Sequence, residues 1–238
     1  MFLHTSIVKP YKGTGMEGAV ARWYAALTQK SMARHRQLAG RAAQLAPPGS
    51  NVLEVAPGPG YLAIELAKLG DYRITGLDIS KTFVEIARAN AAKANAKIDF
   101  RHGNASEMPF RDATFDFLVC CAAFKNFAEP LRALEEMHRV LRPGGQALIV
   151  DLRKDASRES INQAVDAMNV GAWNTLITKL TFQHMLLKRA YTRRGFETLI
   201  SQSPFHQVQI REDLIALEIL LIKDVGETTG NPLTPLWF

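Results

Sequence analysis

The pattern of apolar and polar positions changes period most sharply just after residue 50. Val52-Leu53-Glu54-Val55 is an apolar run of strand length; beyond Ala56-Pro57-Gly58-Pro59-Gly60-Tyr61, the apolar positions Leu62, Ala63, Ile64, Leu66, Ala67 and Leu69 recur at helical spacing. This predicts a buried strand, a glycine-rich turn and a helix. Gly58 and Gly60 lack Cβ atoms, so the backbone can bend sharply there and a ligand can approach closely, while the helix that follows presents free N–H groups. Such a turn is a cradle for a nucleotide-like ligand.

Apolar runs at 73–78, 98–102, 115–121 and 146–151 predict four more strands, and Phe115–Cys121 is apolar enough to lie at the centre of a parallel sheet. Between them, helices are expected from Lys81 to Asn95, with Ser80 as N-cap, and from about Pro130 to Leu141, closed by Arg142-Pro143-Gly144-Gly145. Ahead of this unit an irregular arm, residues 1–15, leads into two helices from Met16 to about Leu45, broken around Thr28 to Ser31; Pro47-Pro48-Gly49 ends them. The alternation breaks again at 155–191, where Ile161, Val165, Met168, Trp173, Leu176, Ile177 and Leu180 predict two helices split near Gly171, capping the site. A last helix near 194–200 and strands near 207–211 and 214–222, close enough to pair as a hairpin, precede a tail from Asp224.

Two carboxylates decide the ligand class. Gly58-Pro59-Gly60-Tyr61-Leu62-Ala63 also fits the G-x-G-x-x-[GA] dinucleotide turn, but Glu54 ends the first strand and Asp78 ends the second, where an aspartate can take both ribose hydroxyls. These residues resemble the first two motifs of the class I S-adenosyl-L-methionine (SAM) dependent methyltransferases of small-molecule type. The resemblance continues through Gly103-Asn104-Ala105-Ser106, the segment that meets adenine in that family, and Leu141-Arg142-Pro143-Gly144-Gly145, its characteristic helix-to-strand turn; it covers about residues 50 to 223. It implies an α/β fold: a Rossmann-like seven-stranded, mostly parallel sheet with one antiparallel strand, plus N-terminal helices and a helical cap. A dinucleotide dehydrogenase would need a second mononucleotide-binding half, which is absent.

The resemblance implies SAM as cofactor, held by Glu54, Ala56, Gly58, Gly60, Asp78, Ile79, Asn104, Ala105 and Cys121. Ala56 stands where the family has its first glycine, and Asn104 replaces the usual aspartate, its amide oxygen still able to accept from the adenine amine. In open α/β sheets the ligand lies beyond the carboxyl ends of the strands, which puts Cys121, Lys125 and Asn126 beside the transferable methyl. Trp23, Tyr24, Lys125, Asn126 and Trp173 are the candidate acceptor contacts. Lys125, Asp151 and His184 are the candidate bases, though none has a spacing that identifies a base.

Length and composition set the remaining bounds. The 238 residues, 47% hydrophobic and 22% charged, suit one α/β domain with additions: N-terminal arm and helices 1–48, methyltransferase domain 49–223 with its cap at 155–191, and tail 224–238. No apolar run approaches the roughly 18 residues of a membrane span, and the N-terminus lacks the pattern of a secretory signal, so the expected location is the cytoplasm. Cys120 and Cys121 are adjacent and cannot bridge in strand geometry, and the six histidines have no metal-ligand spacing; no metal is expected. The net charge of +6 is concentrated around Arg22, Lys30, Arg34, His35, Arg36 and Arg41, without interleaved aromatics or a nucleic-acid module, and reads first as a solvated helix face. The expectation is a methyltransferase acting on a small-molecule acceptor, monomer or homodimer, without nucleic acid. Its alternatives are an RNA or protein methyltransferase using the basic face, and a SAM-binding protein without turnover.

Overall fold

The protein is described here as a computed structural model over residues 11–12, 15–29, 32–167 and 187–225. Two helices, α1 (Gly18–Gln29) and α2 (Met32–Leu45), precede β1 (Asn51–Val55), α3 (Tyr61–Ala67), β2 (Arg73–Asp78), α4 (Lys81–Lys93), β3 (Ile98–His102) and β4 (Phe115–Cys121). There follow α5 (Pro130–Val140), β5 (Leu141–Leu152), α6 (Arg158–Ala167), α7 (Arg193–Ile200), β6 (Gln207–Glu212) and β7 (Ala216–Ile222). The seven strands form one sheet in the order β3-β2-β1-β4-β5-β7-β6. β1 to β5 are parallel, and β7 is the antiparallel strand, set between β5 and β6. The seven-stranded, mostly parallel sheet is the expected one.

Period-two alternation sorts the sheet into two cores. Val52, Phe117 and Val119 pack with Leu62 and Leu66 of α3, Val84 and Ala87 of α4, and Ala39 and Ala42 of α2. On the opposite face Leu53, Val55, Leu118 and Cys120 pack with Leu134 and Met137 of α5 and Phe196 of α7. The adjacent cysteines accordingly have separate surroundings, and both are free thiols. Strand order reverses between β1 and β4, so the crevice of the sheet opens where Val55 lies beside Cys120.

Boundaries moved in two places. Helix α4 stops at Lys93, because Asn95 takes a left-handed conformation (φ 52°) in which an asparagine can close a helix. Helix α5 ends at Val140, and Leu141–Leu152 is one strand with a register irregularity between Phe115 and Phe117 of β4, where a separate turn was expected. The glycines there are structural: Gly144 has φ 76°, and a Cβ on Gly145 would lie 2.9 Å from the Arg142 carbonyl oxygen and 3.0 Å from that of Asp116. Helix α6 lies where the cap was expected to begin; Trp173, His184 and most of the cap, like the tail beyond residue 225, fall outside the described residues. Among the described residues no helix is long and apolar enough to cross a membrane, and no group of three or more potential ligands could hold a metal ion.

Candidate functional site

Glu54 shares a β1 face with Val52, so alternation aims its side chain towards α3, where it is only 3% exposed. It accepts from the Ala63 N–H, but its Oε2 is buried with no partner. Burial pushes the Glu54 carboxyl up to about 8, opposed by the Ala63 hydrogen bond and reinforced by the negative charge of Asp78. Asp78, at the end of β2, is also buried; its Oδ2 accepts from the Gly58 N–H at 2.9 Å and its Oδ1 from the Ser80 N–H at 2.8 Å. Burial raises this carboxyl as well, against the pull of those two donors. Two carboxyl groups of neighbouring strands thus converge beneath the glycine turn.

The turn divides its glycines between ligand and fold. A Cβ on Gly58 (φ 54°) would meet nothing within 4 Å, whereas one on Gly60 (φ 80°) would lie 2.8 Å from the Phe100 ring and 3.0 Å from the Ala87 Cβ. Gly58 borders open space, and Gly60 lets the turn sit on β3 and α4. Ala56 is held at φ 56°, in the left-handed region where glycine is at ease and alanine is strained; Ala122, ending the adjacent β4, is at φ 57°. The two strand ends that flank the crevice carry the same strain.

Past β3, the Asn104 Oδ1 accepts from the Ser106 N–H at 3.0 Å, so part of the acceptor capacity expected for adenine already closes a local turn. Ala105 beside it is half-buried, and its N–H has no acceptor among the described residues. His102 Nε2 lies 3.1 Å from the carbonyl oxygen of Ile79, joining the ends of β3 and β2.

At the ends of β4 and β5, two candidate bases have found each other. Lys125 Nζ donates to Asp151 Oδ1 at 2.8 Å and to the Ala122 carbonyl at 2.6 Å; Asp151 also accepts from the N–H groups of Lys125 and Leu152. Both side chains are buried. Arg153, two residues further on, binds Asp155 and Glu212 and not Asp151. Cys121 lies beside this pair, and burial pushes its thiol up to about 11, so it stays protonated near neutrality.

These groups fit a bound SAM at the points that can be tested: an orphaned buried oxygen on Glu54, open space over Gly58 and an unspent N–H at Ala105. The methyltransferase-domain family model matches residues 53–149, from β1 into β5. Residues 53–149 are thus similar to a methyltransferase domain. A demethylmenaquinone methyltransferase of Deinococcus radiodurans is 38% identical over 120 residues, 50% of this chain and 50% of that protein. The chain therefore spans about half the length of the curated relatives it matches. A structure from Methanococcus maripaludis, provisionally described as a SAM-dependent methyltransferase, is 20% identical with a TM-score of 0.76, over 91% of this chain and 98% of that one. A SAM-dependent methyltransferase from Aquifex aeolicus is 18% identical with a TM-score of 0.61, over 80% of this chain and 97% of that one. At these identities the two structures speak for the fold alone.

Ahead of the matched residues, α1 brings Tyr24 and not Trp23 towards the site. Tyr24 meets Phe83 edge-on at 5.9 Å, and burial raises its phenol, which lies near Cys121, Arg34 and Asp151. Trp23, next along the helix, is 64% exposed. Asn126 is held at its backbone, where its carbonyl accepts from the Lys12 N–H at 2.7 Å, and Tyr11 forms a bridge with Phe127. The basic helix face is in part committed: Arg41 pairs with Glu218 of β7 at 2.7 Å, and His35 packs on Tyr61.

Glu17 was not anticipated. Its carboxylate accepts from the N–H of Lys81 at 2.9 Å and from the Thr82 hydroxyl at 2.6 Å, while the Ser80 hydroxyl donates to the Met16 carbonyl at 2.6 Å. The N-terminal arm is thereby fastened to the start of α4, next to Asp78. Ser80 was legible as an N-cap, and it does accept from the Phe83 N–H at 3.0 Å; nothing in the local pattern paired it with residues 64 positions earlier.

Proposed function

We propose that this chain is a SAM-dependent methyltransferase that passes the methyl group to a small-molecule acceptor by in-line displacement, leaving S-adenosylhomocysteine. The convergence of Glu54 and Asp78 beneath the open face of Gly58 carries the reading. Asp78 keeps lone pairs for the ribose hydroxyls beyond its two backbone donors, and Glu54 Oε2 is free to accept from the cofactor. Ala56, Gly58 and Gly60 shape the turn, Ile79, Asn104 and Ala105 border the adenine, and Cys121 lies by the sulfonium.

When bound, SAM supplies a methyl on a positively charged sulfur, so the leaving group needs no acid. The chain then contributes chiefly alignment, for which effective molarities reach on the order of 10⁵ M or more. Tyr24 and Asn126 orient the acceptor in this reading. Lys125 and Asp151 satisfy each other and hold the ends of β4 and β5 together, which supports a positioning role better than proton abstraction. The matched domain ends at residue 149, so it reports on the cofactor half; demethylmenaquinone, named for the relatives, is the first acceptor to try. The reading places the enzyme in the cytoplasm, acting without nucleic acid.

The test is thermal unfolding with SAM, S-adenosylhomocysteine or NAD. A ligand at about 100 times its dissociation constant adds roughly 2.7 kcal/mol of stability. Stabilisation by SAM and its product, lost in Asp78→Ala, is expected; stabilisation by NAD alone would overturn the reading. Radiolabelled methyl transfer to an acceptor panel then separates an enzyme from a binder without turnover.

A further inference from the structure

A pocket of about 440 Å³ is lined by residues that include Lys154, just past the end of β5. Four cations line it, Lys12, Lys154, Lys188 and Arg189, together with Tyr191 and Thr192, and its lining contains no carboxylate. Acidic groups on neighbouring elements are engaged elsewhere: Asp151 by Lys125, Asp155 and Glu212 by Arg153, and Glu197 by Arg193. None of the four cations forms an ion pair with a described carboxylate, and the side chains of Lys154 and Lys188 make no hydrogen bond among the described residues.

The cluster is also built. Arg189 Nη1 donates to the Lys12 carbonyl at 2.8 Å, Lys12 Nζ lies 3.5 Å from the Tyr191 hydroxyl and 5.6 Å from its ring centre, and the Lys154 N–H donates to the Tyr191 carbonyl at 3.0 Å. The charges come from three distant parts of the chain, and all four residues are exposed where a dissolved anion can reach them. Burial and the Arg189 charge lower the pKa of Lys12, as expected where positive charge is crowded without compensation.

We propose that this pocket binds an anionic group of the phosphate or carboxylate type. Three ammonium groups and a guanidinium present many donors to such an oxyanion, and the volume leaves room for more than a bare ion. Tyr191 forms the wall between this pocket and the candidate site: its ring packs on Phe124, just after β4, at 6.1 Å, and its phenol feels Asp151. The anion therefore has two sources, the acid group of an acceptor reaching across Tyr191 or a free inorganic anion bound beside the site.

The experiment is titration of the full chain with inorganic phosphate and with phenyl phosphate, at ionic strength held constant with potassium chloride, following the unfolding midpoint. Saturable stabilisation by phosphate is expected, with the affinity falling at least tenfold in Lys154→Ala/Lys188→Ala. Phenyl phosphate binding at least tenfold tighter than phosphate assigns the pocket to the acid group of a larger acceptor; equal affinities assign it to a free anion. A response that does not saturate, or that is unchanged in the double variant, overturns the proposal. The SAM response of the same samples shows that the double variant is folded and keeps this result separate from the cofactor reading.

Discussion

Lys125 and Asp151 form a buried ion pair across the ends of two adjacent parallel strands, Nζ to Oδ1 at 2.8 Å, with both side chains under a tenth exposed. Removing one partner leaves an unpaired charge in the interior, which costs about 3–5 kcal/mol. Lys125→Met and Asp151→Leu are each expected to destabilise by that order in urea unfolding, while the double variant loses less than the sum of the two. Single losses under about 1 kcal/mol would mean that water reaches the pair.

Glu54 imposes a pH dependence of a particular sign. Its folded carboxyl, at about 8, is raised above the ordinary value of 4.5, so between those values the folded chain holds a proton that the unfolded chain has released. The ligand-free protein should therefore lose stability as pH rises from about 4.5 to 8 and level off above, with Asp78 adding in the same direction. Glu136, held low by its hydrogen bond from Arg139, has the opposite slope but acts at lower pH. Thermal melts of Glu54→Gln should lose most of the decline. A cationic ligand that ionises Glu54 should also release protons near pH 7, measurable by calorimetry in buffers of different ionisation enthalpy; an unchanged decline in the variant would move the effect to another group.

The two turn glycines should separate folding from binding. Gly60→Ala drives a methyl group into Phe100 and Ala87 at a left-handed position, and a loss of about 2–4 kcal/mol is expected from overpacking together with backbone strain. Gly58→Ala adds its methyl to open space, so about 1–2 kcal/mol of backbone strain is all the fold should feel, whereas affinity for SAM should fall at least tenfold. Calorimetric titration beside urea unfolding distinguishes the two variants. Equal SAM affinity in Gly58→Ala and the wild type would place the ligand elsewhere.

Glu17→Ala removes a side chain that receives three donors at the start of α4, the N–H groups of Lys81 and Thr82 and the Thr82 hydroxyl. By analogy with helix-cap losses the cost should be about 1 kcal/mol. Hydrogen exchange should rise at residues 15–20 and at the first turn of α4, while β5 and β7 stay protected; a change spread evenly over the chain would mean that the arm is not tied there.

Much of this architecture was legible because it is written in local period. The strand-turn-helix at 52–67 could be read from the switch of spacing, and the glycines from the need for left-handed backbone, since Gly58 and Gly60 both have positive φ. The closing hairpin followed from two apolar runs with a short gap, and β6 and β7 do pair. What stayed hidden depends on contacts between distant residues. Lys125 and Asp151 appeared as separate candidates because neither run of sequence carries a sign of the other, and nothing around Glu17 points to residues 81 and 82. Trp23 and Tyr24 were indistinguishable as neighbouring aromatics until the rotation of α1 sent one outward and the other towards Cys121.

The place of β7 also governs when the molecule can close during synthesis. β5, whose Leu148-Ile149-Val150 are buried, pairs with β4 on one side and with residues 216–222 on the other. Until those residues leave the ribosome, an apolar strand at the middle of the finished sheet has a bare edge, open to pairing with another chain. Arg41 of α2 likewise has no Glu218 to meet before that moment. The last strand is thus the clasp of the nascent protein, and the interval between residues 152 and 216 is the time for which its sheet must be kept from strangers.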